Sequence, residues 1–134
     1  MRVVHIDACS CEKIDIYKFF CDQRYDYAVT LEVTSDAQIA KGGRKSYQVK
    51  LEDEIKLNEK AKTAFETSTS LWIQEVQSTC NLHLQKGVKY IVRGKINRKG
   101  IATTNFCQTM KWSSLSEERH NEVKRLILDG LRCK

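Results

Sequence analysis

Six cysteines constrain the fold of this chain more than any other feature of its 134 residues. Three lie near the start and three are spread over the second half, and they are Cys9, Cys11, Cys21, Cys80, Cys107 and Cys133. Zinc-binding domains usually show repeated C-x2-C pairs or neighbouring histidines, whereas this sequence has no such pair and its histidines lie far apart. An even number of cysteines in a small chain predicts structural disulfides, although the count alone leaves their pairing open.

Disulfides persist in oxidising compartments, so the cysteine content predicts a secreted, extracellular protein. No apolar run approaches the roughly 20 residues needed to cross a bilayer, so we expect no membrane span. Residues 1–8 are too few to contain the apolar region of a signal peptide. We interpret them as an N-terminal extension or a remnant of expression. Residues 9–134 are predicted to form one domain, either a whole protein or a module of a larger secreted one.

Alternating apolar and polar residues predict five strands, at 25–33, 46–57, 71–73, 88–96 and 101–106. The first strand is expected to be half-buried, with only its apolar face in the core. Asp53 interrupts the alternation of the second strand, which indicates a bulge or bend. Trp72 and Trp112 are expected to pack in the core or at a hinge.

Two helices are predicted at the ends of the domain. Apolar residues at helical spacing predict a short helix within residues 12–20. Ser116 is a predicted N-cap and Gly130 a predicted C-terminal cap of a second helix. Residues 58–70 are mostly polar and favour no element. Five strands that do not alternate with helices predict a mainly β fold, a five-stranded OB-fold-like Greek-key barrel with a short N-terminal and a C-terminal helix.

The formal net charge is +6, with 23 basic and 17 acidic residues interspersed along the chain. A solvated surface explains this balance, and affinity for an acidic polysaccharide such as a glycosaminoglycan is the sharper interpretation. The candidate polyanion-binding residues lie on one strand face and in the following turn: Lys89, Arg93, Lys95, Arg98 and Lys99. Nucleic acid is not an expected partner, because disulfides place the chain outside the cell.

Catalysis is not expected from this sequence. It contains no paired-carboxylate motif, nucleophile elbow, phosphate-binding loop or HExxH motif. We therefore expect a protein that is not an enzyme, has no cofactor and binds no metal ion in its free form.

The spacing of the cysteines has a specific resemblance. The chain contains Cys9-Ser10-Cys11, then Phe20-Cys21, then Cys80 ahead of the strand with Gly94-Lys95, and a Trp-x-x-Leu-Ser motif at 112–116. Cys133 follows the predicted last helix. From Cys9 to Cys133 the chain resembles the netrin-like (NTR) module, and most closely the N-terminal inhibitory domain of the tissue inhibitors of metalloproteinases.

The resemblance implies three disulfides, Cys9–Cys80, Cys11–Cys107 and Cys21–Cys133. In the inhibitors, the α-amine and carbonyl of the first cysteine bind the catalytic zinc of the protease, whose open coordination site accepts such donors. Carried over to this chain, the protease contacts are Cys9, Ser10 and Cys11, with Cys9 on the zinc and Ser10 in the specificity pocket. The neighbouring edge is then formed by Ser78, Thr79 and Cys80.

Two functions follow from the resemblance. One is a secreted, wedge-like protein inhibitor of an extracellular zinc metalloproteinase, favoured by Cys9-Ser10-Cys11 and the Trp-x-x-Leu-Ser match. The other is a non-inhibitory netrin-like interaction module that binds extracellular matrix, glycosaminoglycan or another secreted or host protein. Residues 1–8 and the basic charge favour the second, because an amide nitrogen at Cys9 has no lone pair to give to zinc.

Overall fold

The computed structural model describes residues 11–74 and 81–133. The helices in these ranges are α1 Ile16–Cys21, α2 Glu59–Thr67 and α3 Glu117–Asp129. The strands are β1 Tyr27–Val33, β2 Gln38–Ile39, β3 Lys45–Leu57, β4 Ser70–Ile73, β5 Lys89–Ile96, β6 Ala102–Thr104 and β7 Thr109–Lys111. None of the helices in the described part of the chain is long and apolar enough to cross a membrane.

Five strands close into a barrel in the order β1, β3, β4, β6, β5, because β5 also pairs with β1. All neighbours are antiparallel except β4 and β6, which run parallel. The short strands β2 and β7 add to the edges of β3 and β5. The predicted mainly β, five-stranded barrel with helices near both ends of the domain is confirmed.

The barrel interior is filled by the alternating apolar residues of the strands. On β1 these are Tyr27, Val29, Leu31 and Val33, each 0% exposed. The Tyr27 hydroxyl donates to the carbonyl oxygen of Thr103 across the barrel, at 2.8 Å. This bond lets a large aromatic ring fill the interior without leaving its polar end unpaired.

A second apolar cluster lies outside the barrel, beneath α1 and α3. Phe20 of α1 and Val123 of α3 pack there against Ala28 of β1 and Ile91 of β5. Because α1 and α3 cover the outside of β1, this strand is buried on both faces, and the predicted half-buried strand is wrong in that respect. Small or polar residues such as Ala28 and Thr30 occupy the outer face of β1, so the alternation in the sequence does not indicate that this face is also buried.

The strand β3 is irregular where Asp53 breaks the sequence pattern. Its register with β1 shifts between Ala28 and Val29 and again between Thr30 and Leu31. Asp53 lies between these two shifts, where its carboxylate accepts a hydrogen bond from the Thr30 hydroxyl at 2.7 Å. The predicted irregularity is confirmed, and it bends a thirteen-residue strand around the barrel.

Capping residues define the helices. Ser116 accepts a hydrogen bond from the backbone N–H of Arg119, and Gly130 ends α3 with φ of 79°, as predicted. The sequence pattern missed α2, where Asn58 is the N-cap and accepts from the Ala61 N–H at 2.9 Å. Its buried side is made of Ala61 and Ala64, which are too small to give a strong apolar signal.

One disulfide attaches the last helix to the first. Cys21, at the end of α1, is bonded to Cys133, beyond α3, as the resemblance implies. Near this bond, the Tyr17 hydroxyl donates to the carbonyl oxygen of Arg132 at 2.6 Å. The segments that enter and leave the barrel are therefore joined to each other.

Candidate functional site at the Cys11–Cys107 disulfide

The Cys11–Cys107 disulfide attaches the first described residue to the edge of the barrel. The two Cα atoms are 5.4 Å apart, and the pairing is the one implied by the resemblance. Cys107 lies in a 3-10 turn, Phe106–Gln108, between β6 and β7. Of the predicted protease contacts, Cys11 is therefore held by a covalent bond to the barrel.

The turn that carries Cys107 is fixed by its neighbours. The Asn105 side chain accepts a hydrogen bond from the Cys107 backbone N–H at 3.1 Å. The Thr109 hydroxyl donates to the Asn105 carbonyl oxygen at 3.1 Å. Because these bonds satisfy the backbone of a sharp turn, the disulfide is attached to a defined support.

A hollow of about 400 Å³ lies beside this disulfide. Its apolar wall includes Phe19 and Met110, and its charged members include Glu12, Lys13 and Arg119. Next to Cys107, the Phe106 side chain is 40% exposed, and among the described large apolar residues Ile39 and Leu128 are exposed as well. The arrangement offers an apolar contact with charges of both signs around it, which suits a binding surface.

Arg93 connects the support of the disulfide to α1. Its guanidinium donates to the Phe19 carbonyl oxygen at 3.0 Å and, through Nε, to the side-chain oxygen of Gln108. The guanidinium carbon lies 4.2 Å from the ring centroids of both Phe19 and Tyr25. Arg93 is only 5% exposed, so its contacts replace the water that a surface arginine would have.

The charge of Arg93 is balanced at the end of α1. The Asp22 carboxylate lies 3.6 Å from the Arg93 guanidinium and 2.6 Å from that of Arg24. Hydrogen bonds from Arg24 and the two positive charges lower the pKa of Asp22 to about 2. Burial lowers the pKa of Arg93 from its usual value, and an arginine remains protonated despite such a shift.

The predicted polyanion-binding residues are divided by the structure. Lys89 is ion-paired with Glu52 at 3.3 Å and Asp53 at 3.9 Å, and its ammonium lies 4.3 Å from the Trp112 ring centroid. Arg93 is buried as described above. The other three members of the predicted set, Lys95, Arg98 and Lys99, are exposed.

The other predicted contacts lie outside the described residues. These are Cys9 and Ser10 before the first range, and Ser78, Thr79 and Cys80 between the two ranges. The predicted Cys9–Cys80 disulfide lies outside the described residues for the same reason. Within residues 11–74 and 81–133, no group of three or more His, Cys, Asp or Glu side chains could hold a metal ion.

The sequence matches a known protein family. A family model described as the UNC-6/NTR/C345C module matches residues 18–126, which is most of the chain. The chain belongs to the NTR family. No curated protein matches the sequence.

The NTR match confirms the predicted netrin-like module. NTR domains act in protein interaction and inhibition and are typically extracellular, which agrees with the two disulfides described here. The match starts at residue 18, so the predicted domain start at residue 9 stays a prediction, as does the closer likeness to metalloproteinase inhibitors.

Sequence reasoning missed two features of this NTR domain. The exposure of Phe106 could not be predicted, because its position at the end of a predicted strand, next to a cysteine, does not distinguish it from an ordinary strand residue. The burial of Arg93 beneath α1 could have been suspected from the apolar residues beside it, since Tyr90, Ile91 and Val92 precede it directly. A charged residue in such a run is either at a strand edge or buried with partners.

Proposed function

We propose that this NTR domain is a secreted protein inhibitor of zinc metalloproteinases. Cys9-Ser10-Cys11 would act as a wedge in the active-site cleft, with Ser78, Thr79 and Cys80 as the neighbouring edge. The observation that carries the proposal is the Cys11–Cys107 disulfide, which anchors the end of the wedge to the barrel. It agrees with the cysteine pairing of the inhibitory NTR domains that the sequence resembles.

The physical basis of the proposal is preorganisation. A segment held at Cys11 loses less conformational freedom on binding than a free terminus, so more of its contact energy is available as affinity. Zinc in a protease keeps an open coordination position, which the amine and carbonyl oxygen of Cys9 would occupy. Displacement of the zinc-bound water then removes the nucleophile of the protease.

The mechanism depends on the nitrogen of Cys9. A free amine can donate its lone pair to zinc, whereas an amide nitrogen cannot, so residues 1–8 must be absent from the active form. The hollow beside Cys11, with Phe106 at its rim, would contribute an apolar contact to the flank of the protease cleft.

The first prediction compares three forms of the protein against the catalytic domain of a matrix metalloproteinase. The form that begins at Cys9 is expected to inhibit, whereas the form with residues 1–8 is expected to be inactive. A form with one alanine placed before Cys9 is the matched control, since it changes the amine to an amide and little else. Its inhibition constant should be at least about 100-fold higher than that of the form that begins at Cys9.

Each result has a clear meaning when circular dichroism and disulfide mapping show that all three forms are folded. Absence of inhibition by the Cys9 form contradicts the inhibitor function. Equal inhibition by the alanine form contradicts the zinc-binding role of the Cys9 amine.

The second candidate is a non-inhibitory interaction module. It is supported by Lys95, Arg98 and Lys99, which are exposed and could serve an acidic matrix component. Inactivity of the Cys9 form would favour this candidate.

A further inference from the structure

Residues 81–85 follow Cys80 closely and pack on the barrel without joining its sheet, and we call them the strap. All five lie in the described part of the chain, and none belongs to a strand or helix. Leu82 and Leu84 are each 7% exposed and belong to the cluster inside the barrel, whereas His83 and Gln85 are exposed. A stretch that is partly buried without pairing to a strand must find hydrogen-bond partners for its backbone elsewhere.

Two tyrosine hydroxyls supply such partners. The backbone N–H of Leu84 donates to the Tyr47 hydroxyl at 3.1 Å, and that of Gln85 donates to the Tyr90 hydroxyl at 2.9 Å. Tyr47 lies on β3 and is 1% exposed, and Tyr90 lies on β5 and is 5% exposed. Because β1 pairs with both of these strands and lies between them, the strap is bonded to the barrel on either side of β1.

Two lysines hold the strap from outside the core. The Lys45 ammonium donates to the Leu82 carbonyl oxygen at 2.8 Å and lies 3.1 Å from Nδ1 of His83. The Lys111 ammonium donates to the side-chain oxygen of Gln85 at 3.0 Å. Among the described residues, no carboxylate lies within ion-pair distance of either lysine. Both charges therefore serve the strap rather than a surface ion pair.

The strap is close in sequence to the predicted protease-binding edge at residues 78–80. Two residues of chain span at most about 7 Å, so whatever fixes Leu82 also limits the positions open to Cys80. Before this edge, the backbone N–H of Gln74 donates to the Thr104 carbonyl oxygen at 2.7 Å. The chain is thus attached to the barrel both before and after the segment that contains the edge.

The polar contacts of the strap do something that its apolar contacts do not. Leu82 and Leu84 fill space in the barrel, and apolar burial is non-directional. The Tyr47 and Tyr90 hydroxyls and the Lys45 ammonium bond to particular main-chain atoms, and hydrogen bonds are directional. These three side chains therefore define where along the barrel the strap lies.

We propose that Lys45, Tyr47 and Tyr90 are positioning residues for the protease-binding edge. They act through the strap, and their role requires no contact with the protease. This inference rests on the proposed inhibitor function, to which it adds a second support beside the Cys11–Cys107 disulfide. With the predicted Cys9–Cys80 disulfide formed, the wedge is held at Cys11 and, through Cys80, by the strap. Such preorganisation reduces the conformational entropy lost on binding.

The second prediction uses the form that begins at Cys9 and the catalytic domain of a matrix metalloproteinase. Tyr47→Phe and Tyr90→Phe should each raise the inhibition constant by about threefold to tenfold, and Lys45→Met should do the same. The double change Tyr47→Phe with Tyr90→Phe should raise it by about thirtyfold or more, because both bonds hold the same short strap. Phenylalanine keeps the ring in the core, and Lys45→Met leaves the core untouched, so these variants are expected to fold.

Tyr27→Phe is the matched control for the tyrosine variants. It removes the same atom from the barrel interior, but the Tyr27 hydroxyl is bonded to the Thr103 carbonyl oxygen and not to the strap. Its inhibition constant should stay within about twofold of the parent value, although urea unfolding should show a loss of stability similar to that of Tyr47→Phe. Lys60→Met, at an exposed position on α2, is the corresponding control for Lys45→Met.

Amide hydrogen exchange measures the attachment of the strap without a protease. The Leu84 and Gln85 amides should exchange about tenfold faster or more in the double variant, because each loses its acceptor. The same amides should keep their parent exchange rates in Tyr27→Phe. This readout reports on the strap itself, whereas the inhibition constant reports on what the strap does for the edge.

Three results would overturn the positioning role while leaving the inhibitor function intact. One is unchanged exchange at Leu84 and Gln85 in the double variant, and another is faster exchange with an unchanged inhibition constant. The third is an equal loss of inhibition in Tyr27→Phe and Tyr47→Phe, which would mean a general effect of lower stability. Absence of inhibition by the parent form contradicts the proposed function itself, and with it the positioning role, whatever the exchange rates are.

Discussion

Arg93 is buried with its full charge, and the residues around it show how such a charge is made tolerable. Two aromatic rings enclose the guanidinium, and a backbone carbonyl and a glutamine side chain accept its hydrogen bonds. Asp22 supplies the opposite charge. A buried ion pair of this kind contributes little net stability, but removing one partner is costly because the other is left uncompensated.

The third prediction concerns the pH dependence contributed by Asp22. Its pKa in the folded protein is about 2, below the ordinary value of 3.8. The ionised carboxylate therefore stabilises the fold above about pH 4, and this contribution is lost as the pH falls through about 2. Asp22→Asn should be less stable than the parent near neutral pH, with the difference vanishing towards about pH 2.

Urea unfolding at a series of pH values measures this effect. Asp36→Asn is the control, since Asp36 is exposed in a loop and has no ion pair among the described residues. A difference between parent and Asp22→Asn that stays constant over the acidic range would contradict the assigned role.

The sequence predicted which residues share a strand face, but not which of these residues are covered in the folded domain. Lys89, Arg93 and Lys95 do share one face of β5, as predicted. The sequence could not indicate that α1 covers Arg93 or that Glu52 and Asp53 pair with Lys89, because both depend on packing between distant segments. Trp72, expected to pack in the core or at a hinge, lies half-buried on the outer face of β4, because its neighbours Leu71 and Ile73 face the barrel interior.

At the level of elements, the close packing of β1 and β6 against β5 depends on the absence of a side chain at Gly94. Tyr27 lies opposite Gly94 in the register of these strands. A methyl group at position 94 would overlap the Thr103 carbonyl oxygen and the Tyr27 hydroxyl. Glycine here permits the close approach by which the large Tyr27 ring fills the barrel.

The fourth prediction follows from this contact. Gly94→Ala should lower the free energy of unfolding by about 3 kcal/mol or more, because a backbone carbonyl cannot move aside as a flexible side chain can. Chemical denaturation of Gly94→Ala and of Gly94→Ala with Tyr27→Phe tests the cause. The second change should restore only a small part of the loss, since it leaves the overlap with Thr103. An unchanged unfolding midpoint for Gly94→Ala would contradict the argument.

The elements themselves were predictable to different degrees. Strands with alternating residues, such as β1 and β5, were found near their true bounds, and so was α3 with its caps. The helix α2 was missed because its buried side consists of alanines. The strands β2 and β7 are too short to show any alternation, and they exist because β3 and β5 offer them open edges.

At the level of the whole molecule, the two described disulfides connect both ends of the domain to its centre. Cys11–Cys107 spans 96 residues and Cys21–Cys133 spans 112. Loop-closure entropy grows slowly with length, so each is worth about 4.7 kcal/mol before any strain is subtracted. They therefore stabilise the fold almost equally, although they hold different surfaces.

The fifth prediction uses this equality to separate stability from function. Replacing both cysteines of either pair by serine should cost on the order of 2–5 kcal/mol in the free energy of unfolding. In the form that begins at Cys9, loss of Cys11–Cys107 should weaken protease inhibition strongly and loss of Cys21–Cys133 should not, because of the two described disulfides it is Cys11–Cys107 that anchors the proposed wedge. The assay is made at a temperature where both variants are folded. Equal inhibition by both variants would contradict the anchoring role.

The two disulfides also determine what a single cut in the chain would do. Residues 34–44 form a largely exposed connection between β1 and β3, with basic residues at Lys41 and Arg44. The piece before such a cut contains Cys11 and Cys21, and the piece after it contains Cys107 and Cys133. A nicked molecule would thus remain one covalent unit whose fragments separate only under reduction. A single break of the backbone in this connection would therefore leave all the described strands of the barrel covalently attached to one another.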